Sequence, residues 1–177
     1  MTVGFRRLER DDFPSLSWWF SRPHVKAWWS EEADLASIEG RYGPAVDGTD
    51  PTEVFVVEVD GQPAGMAQRY RLEDNANWEA SLEPSGRHEH AVGIDYLIGD
   101  DKLVGIGLGP VVIERFVAAT WEHYPGVREV VVAVQQGNRP SWRALEKAGF
   151  ERTWAGTIVS DDPGDAGPSY VYVKQRP

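Results

Sequence analysis

The chain has no cysteine. No disulfide can staple it, and no thiolate chemistry is available to it. It also has no apolar run near the eighteen or so residues needed to span a bilayer. The N-terminus carries no signal-peptide pattern, so a cytoplasmic location is expected. Positive charge is scarce: 18 Lys and Arg stand against 28 Asp and Glu, a formal net charge of −10. Nucleic acid wants a basic face, so neither nucleic acid nor a membrane is expected as a partner. An acidic cleft concentrates cations, which favours a cationic small molecule, although the same balance also serves plain solubility. The four histidines, His24, His88, His90 and His123, do not fall at metal-ligand spacing, and no metal is expected. A Gly-x-Ser-x-Gly element of the serine-hydrolase kind is absent.

What is present suits one α/β domain over residues 1–177, with 41% hydrophobic residues to build its core. Residues 104 to 109 read Val-Gly-Ile-Gly-Leu-Gly, between an apolar strand-like run (Val92–Ile98) and a helix-like run from Pro110. Apolar positions 112, 113, 116 and 117 fall at helical spacing. Pro110 fits a first helical turn. Glycines ahead of a helix N-terminus let backbone N–H groups close on an anion, and the helix dipole favours negative charge there. The segment therefore reads as a phosphate or pyrophosphate holder, with a tight strand-to-helix turn as the plainer alternative. No Gly-Lys-Ser/Thr follows it, and the spacing is not that of the dinucleotide fingerprint.

Strands are expected at Val3–Leu8, Val54–Val59, Ala64–Arg71, Val92–Ile98, Val127–Val134, Glu151–Ser160 and Tyr170–Lys174. Helices are expected at Phe13–Phe20, Val25–Trp29, from Asp34 to about Arg41, after the glycine loop, and at Asn138–Ala148 with Gly149 as C-cap. Residues 73 to 90 read as a long polar loop.

Asn138-Arg-Pro-Ser-Trp-Arg-Ala-Leu-Glu-Lys-Ala-Gly-Phe-Glu151 resembles the closing motif of the GCN5-related N-acetyltransferase (GNAT) superfamily, and the glycine loop looks like that superfamily's acetyl-CoA loop. Four further pieces resemble the aminoglycoside 6'-N-acetyltransferases. They are the Trp-rich segment Trp18–Trp29, Gly65-Met-Ala-Gln68-Arg-Tyr70, Gly93-Ile-Asp95, and Val104–Gly109 itself. Three positions depart from the pattern. Val104 stands where Arg or Gln is frequent, Leu145 where many members place an acidic Tyr, and Ala133 where the aminoglycoside enzymes have Asp.

The resemblance implies a three-layer fold with a mixed, mostly antiparallel sheet, splayed at the acetyl-CoA site. It implies direct acetyl transfer from acetyl-CoA to an amine, an aminoglycoside 6'-amino group first. Siderophore-lysine or other small-amine acyl transfer, or a non-catalytic CoA- or ligand-binding module, are the alternatives. Asp95 would be the catalytic base. A carboxylate inside an apolar strand needs a partner or a task, because an unpaired buried charge costs several kcal/mol. Ile98, Val104, Gly105, Ile106, Gly107, Leu108, Gly109, Pro110 and Asn138 would hold acetyl-CoA. Trp29, Tyr42, Gln68, Trp78 and Asp95 would meet the amine, with Tyr42 and Trp78 expected in loops over the site. The glutamates and aspartates of 73–90 and 161–165 would suit a polyamine. A monomer or homodimer is expected.

Overall fold

The computed structural model describes residues 1–177. Its strands are β1 (Val3–Arg7), β2 (Glu53–Val59), β3 (Gln62–Arg71), β4 (Ala91–Ile98), β5 (Glu129–Gln135), β6 (Glu151–Ile158) and β7 (Gly167–Gln175). They form one seven-stranded sheet in the order β1-β2-β3-β4-β5-β7-β6. The β1–β2, β2–β3, β5–β7 and β6–β7 pairs are antiparallel. Between β4 and β5 the ladder is parallel, joining Ala91–Gly93 to Glu129–Val131. The sheet is therefore mixed and mostly antiparallel, as expected. The helices are α1 (Phe13–Phe20), α2 (Pro23–Lys26), α3 (Leu35–Asp47), α4 (Ala76–Leu82), α5 (Leu108–His123) and α6 (Arg139–Lys147). None is long and apolar enough to cross a membrane. Backbone contacts group the chain into two compact units, residues 1–69 with 95–108, and residues 70–94 with 109–177.

The first unit has its own core, which includes Leu16, Trp19, Phe20, Ile38, Tyr42, Val56, Met66 and Leu97. Asp34 caps α3 by accepting from the Ser37 N–H at 2.9 Å, a contact worth about 1 kcal/mol. The helix then runs past its expected end near Arg41, through Pro44, to Asp47. Proline removes one intrahelical bond, but burial of Ile38 and Tyr42 and a left-handed Gly48 at the C-cap carry the helix further. A two-residue turn joins β2 to β3, with Asp60 and Gly61 both at positive φ (50° and 76°), as a tight hairpin demands. Past the turn, Val57 pairs with Gly65 and Glu58 with Pro63, which leaves Ala64 as an extra, bulged residue on β3.

The second unit packs Leu72, Leu82, Ala91, Val131, Ile158, Val171 and Val173, with Tyr70, Trp78 and Trp154 against them. In α5, Val112, Ile113, Phe116 and Val117 are all buried, in agreement with the helical spacing of the sequence. The expectation of a plain loop over 73–90 is corrected: it contains α4 and two short 3₁₀ turns. Polar neighbours hide the apolar residues Leu72, Trp78 and Leu82, which anchor the segment to the core.

Candidate active site

Strand β4 is buried from Ala91 to Ile94 and then carries Asp95, which is half-buried. The carboxylate has a partner. The Gln68 amide on β3, itself 7% exposed, donates through Nε2 to Asp95 Oδ2 at 2.8 Å. An N–H donor stabilises the charged form of a carboxyl group. Successive strand residues face opposite ways, so Arg69 leaves the other side of β3. There its Nε donates to Glu53 at 2.6 Å.

Beyond Ile98 the chain enters the glycine segment. Asp100 accepts from the Lys102 N–H at 3.0 Å and starts a short turn, Asp101–Leu103. Gly105 and Gly107 follow at φ 80° and 87°, where a side chain would be strained. No atom lies within 4 Å of where a Cβ on either would sit, so their backbone faces open space. Helix α5 begins at Leu108, which places Gly109 and Pro110 in its first turn. Val104 and Ile106 are exposed, while Leu108 is buried. In the chain, Gly105 and Gly107 thus directly precede a sixteen-residue helix.

Sequence reasoning missed what anchors the root of this segment. His24 Nε2 donates to the Ile98 carbonyl oxygen at 2.9 Å. Arg22 ion-pairs with Asp101 at 3.0 Å while its guanidinium lies 4.9 Å from the exposed Trp18 ring. The Arg22 hydrogen bond holds the Asp101 carboxyl below the usual carboxylate range. The only available signal was the Trp-rich run Trp18 to Trp29. Of its tryptophans, Trp19 is buried and Trp18 exposed.

The expected amine-contacting residues are differently placed. Gln68 and Asp95 touch. Trp29 is half-buried, its ring 6.1 Å from Phe20. Tyr42 is not in a loop: it lies in α3, is 2% exposed, and stacks on Phe20 at 5.9 Å. Trp78 is not in a loop either, since it lies in α4 of the other unit. Asn138 is half-buried and caps α6, accepting from the Ser141 N–H at 3.4 Å. Leu145 is fully buried on the same helix.

In the second unit a cavity of about 320 Å³ is lined by Glu73, Glu79, Arg87, His88, Glu89, His90 and Ala91. Glu73 pairs with Arg71, and Glu89 with Arg87 at 2.9 Å. Buried His88 contacts Ser85 Oγ at 2.9 Å and Glu129 at 2.8 Å, a bridge that the sequence did not reveal. No cluster of three or more His, Asp or Glu is placed to hold a metal ion.

Comparison with known proteins identifies the family and the fold. The family model described as "Acetyltransferase (GNAT) domain" matches residues 9–157. An aminoglycoside N(6')-acetyltransferase type 1 from Klebsiella pneumoniae is 30% identical over 180 residues, covering 99% of this chain and 84% of that protein. The solved structure of AAC(6')-Ib in complex with ribostamycin and coenzyme A superposes with a TM-score of 0.84, at 28% identity, covering 99% of this chain and 94% of that one. More distant is the lysine N-acyltransferase MbtK of Mycolicibacterium paratuberculosis, 26% identical, covering 78% of this chain and 60% of that protein.

Proposed function

The chain belongs to the GNAT acetyltransferase domain family, and from that premise we propose that it acetylates an amino group of a polycationic amine, an aminoglycoside 6'-amine first, using acetyl-CoA. The reading is supported by full-length similarity to proteins of that name, including one solved with ribostamycin and coenzyme A. One observation of this molecule carries it: a half-buried carboxylate, Asp95, held by a neutral amide on the strand that runs into the glycine segment. We propose residues 1–177 as a single domain of this activity, acting in the cytoplasm as a monomer or homodimer.

In this proposal Val104 to Pro110 hold the pyrophosphate through backbone N–H groups, with Ile98 and Asn138 beside the rest of the acetyl-CoA. Val104 contributes main chain only. Asp95 attracts the acceptor as an ammonium and takes its proton. The freed amine nitrogen bonds to the acetyl carbon, the carbon–sulfur bond breaks, and the nitrogen gives its second proton to water. No covalent enzyme intermediate is needed, which suits a chain without cysteine. Leu145 offers no proton, so the departing thiolate takes one from water. Trp29 provides an apolar wall for the acceptor, with Tyr42 supporting the Phe20 ring against which it leans. The chain's formal net charge of −10 adds a general attraction for a polycation. That charge also fits a lysine acceptor, the second reading, which similarity to the lysine N-acyltransferase supports.

Steady-state release of CoA with a panel of amines tests the proposal. Turnover is expected with kanamycin-like aminoglycosides above lysine hydroxamates and simple amines. Preference for the lysine compounds would replace the first reading by the second. Absence of turnover with every amine, despite acetyl-CoA binding, would leave a binding module.

A further inference from the structure

We infer that Arg22 is a positioning residue for acetyl-CoA: it masks the Asp101 carboxylate, so that the cofactor's diphosphate approaches the glycine segment with less repulsion. The inference rests on the reading of that segment as the acetyl-CoA holder. From Val104 to Gly109 there is no charged side chain, and Val104 stands where the resembled enzymes often carry Arg. An anion there is held by main-chain N–H groups alone. Two carboxylates lie just upstream, in a chain of net charge −10. Asp100 turns back on the Lys102 N–H at 3.0 Å. The Val104 N–H donates to the Asp101 carbonyl at 3.2 Å, a turn that keeps their Cα atoms within about 7 Å. A bare Asp101 carboxylate would stand beside the segment that must receive an anion.

The fold brings the compensating cation from far along the chain. Pro23 confines the residue before it to extended backbone, and Arg22 has φ −74° and ψ 135°. The Val25 and Lys26 N–H groups donate to its carbonyl at 3.0 and 2.9 Å, which fixes its main chain at the start of α2. Its guanidinium lies 4.9 Å from the centre of the Trp18 ring, which accounts for a tryptophan left 46% exposed. Nη2 donates to Asp101 at 3.0 Å, while Nε is buried without a hydrogen bond. Stacking and one charged hydrogen bond thus fix the group. Asp101 is 51% exposed, and a pair so open to water adds little to stability. The consequence of the pair is local: two charges cancel just ahead of the glycines.

The test is the dissociation constant for CoA, by calorimetry, in wild type, Arg22→Gln, Asp101→Asn and the double variant, with melting temperatures beside it. A charge mask and a mechanical anchor give different patterns. Arg22→Gln bares Asp101 and should weaken CoA about three- to fivefold in low salt, the effect of one charge roughly 10 Å from a doubly charged diphosphate in water. Asp101→Asn frees the Arg22 charge and should tighten CoA by a similar factor. The double variant, neutral again, should return to the wild-type value. At about 0.5 M NaCl the differences should shrink toward zero, because the Debye length falls to a few ångströms. Weaker binding in both single variants and in the double, or no change in any, would overturn the inference. If Arg22→Gln fails to fold, Asp101→Asn decides, and binding no tighter than wild type overturns it. The reading beneath is tested apart by Gly107→Val, since φ is 87° there and a β-branched residue is strained at that angle. A folded Gly107→Val that binds CoA as wild type does would remove the segment from the site, whatever Arg22 does.

Discussion

The imidazole of His24 is fastened to the backbone of Ile98, Nε2 to carbonyl oxygen, at 2.9 Å. Ile98 ends β4, and the glycine segment starts six residues later. His24 lies in α2, whose Pro23 opens the helix and whose Val25 is buried. The bond thus ties the last residue of the strand to an element rooted in the core.

Removing that tie should loosen the loop before it unfolds the protein. For His24→Ala we expect a loss of about 1 kcal/mol in stability, the usual net worth of such a bond. The KM for acetyl-CoA should rise several-fold with little change in KM for the amine. Thermal unfolding and two-substrate kinetics check both parts. An unchanged acetyl-CoA KM would show that the loop keeps its shape without this anchor.

The buried imidazole of His88 gives a pH prediction. Burial pushes the Glu129 carboxyl up, but hydrogen bonds from His88 and Gln175 outweigh it and hold the group below its ordinary value. A carboxyl depressed on folding adds stability above its unfolded pKa, about 4.3, and loses it as pH falls through the lower folded value. Glu129→Gln should therefore be less stable than wild type at pH 7, by about 1–3 kcal/mol. The difference should close as pH drops below about 4. Melting curves from pH 7 down to 3 measure it, and a gap that stays constant would mean the ionised Glu129 carboxylate does not account for the loss.

Much of this architecture is legible in the sequence because its signals are local. The spacing of Val112, Ile113, Phe116 and Val117, the helix start at Asn138 and its stop at Gly149 each act within a few residues. The features that were missed depend on partners far along the chain. Gln68 meets Asp95 across 27 positions, His24 meets Ile98 across 74, and His88 meets Glu129 across 41. Tyr42 was misplaced for another reason: Pro44 reads as a helix stop, yet burial of the aromatic ring outweighs the lost bond. Helix α4 was hidden because three apolar residues among polar ones suffice once a core is there to receive them.

Leu145 shows where a motif and a packed interior pull apart. Tyr at that position would supply the acid that the resemblance leads one to expect. The side chain here has no exposure at all. A ring and hydroxyl forced into that space should cost about 1–3 kcal/mol through overpacking. Leu145→Tyr is expected to melt earlier and to leave kcat at or below the wild-type value. A higher kcat in a stable variant would mean that α6 can turn this position toward the reacting thiolate.

Asp95→Asn is the sharpest test of the chemistry. Asn keeps the size of the side chain and one oxygen able to accept from Gln68. It cannot take a proton or offset an ammonium charge. General-base loss lowers rates on the order of 10²- to 10⁴-fold. The loss should fall on kcat/KM for the amine, while acetyl-CoA binding, carried by the separate segment from Val104 to Pro110, stays near wild type. The pH profile should also change, since the acidic limb that reports ionisation of this carboxyl would disappear. Polycationic aminoglycosides should suffer more than a simple primary amine, because they lose the charge that attracts them as well as the base. Acetylation of kanamycin-like amines at the wild-type rate across pH 6 to 9 would make Asp95 structural, a strand carboxylate kept in place by Gln68 and nothing more.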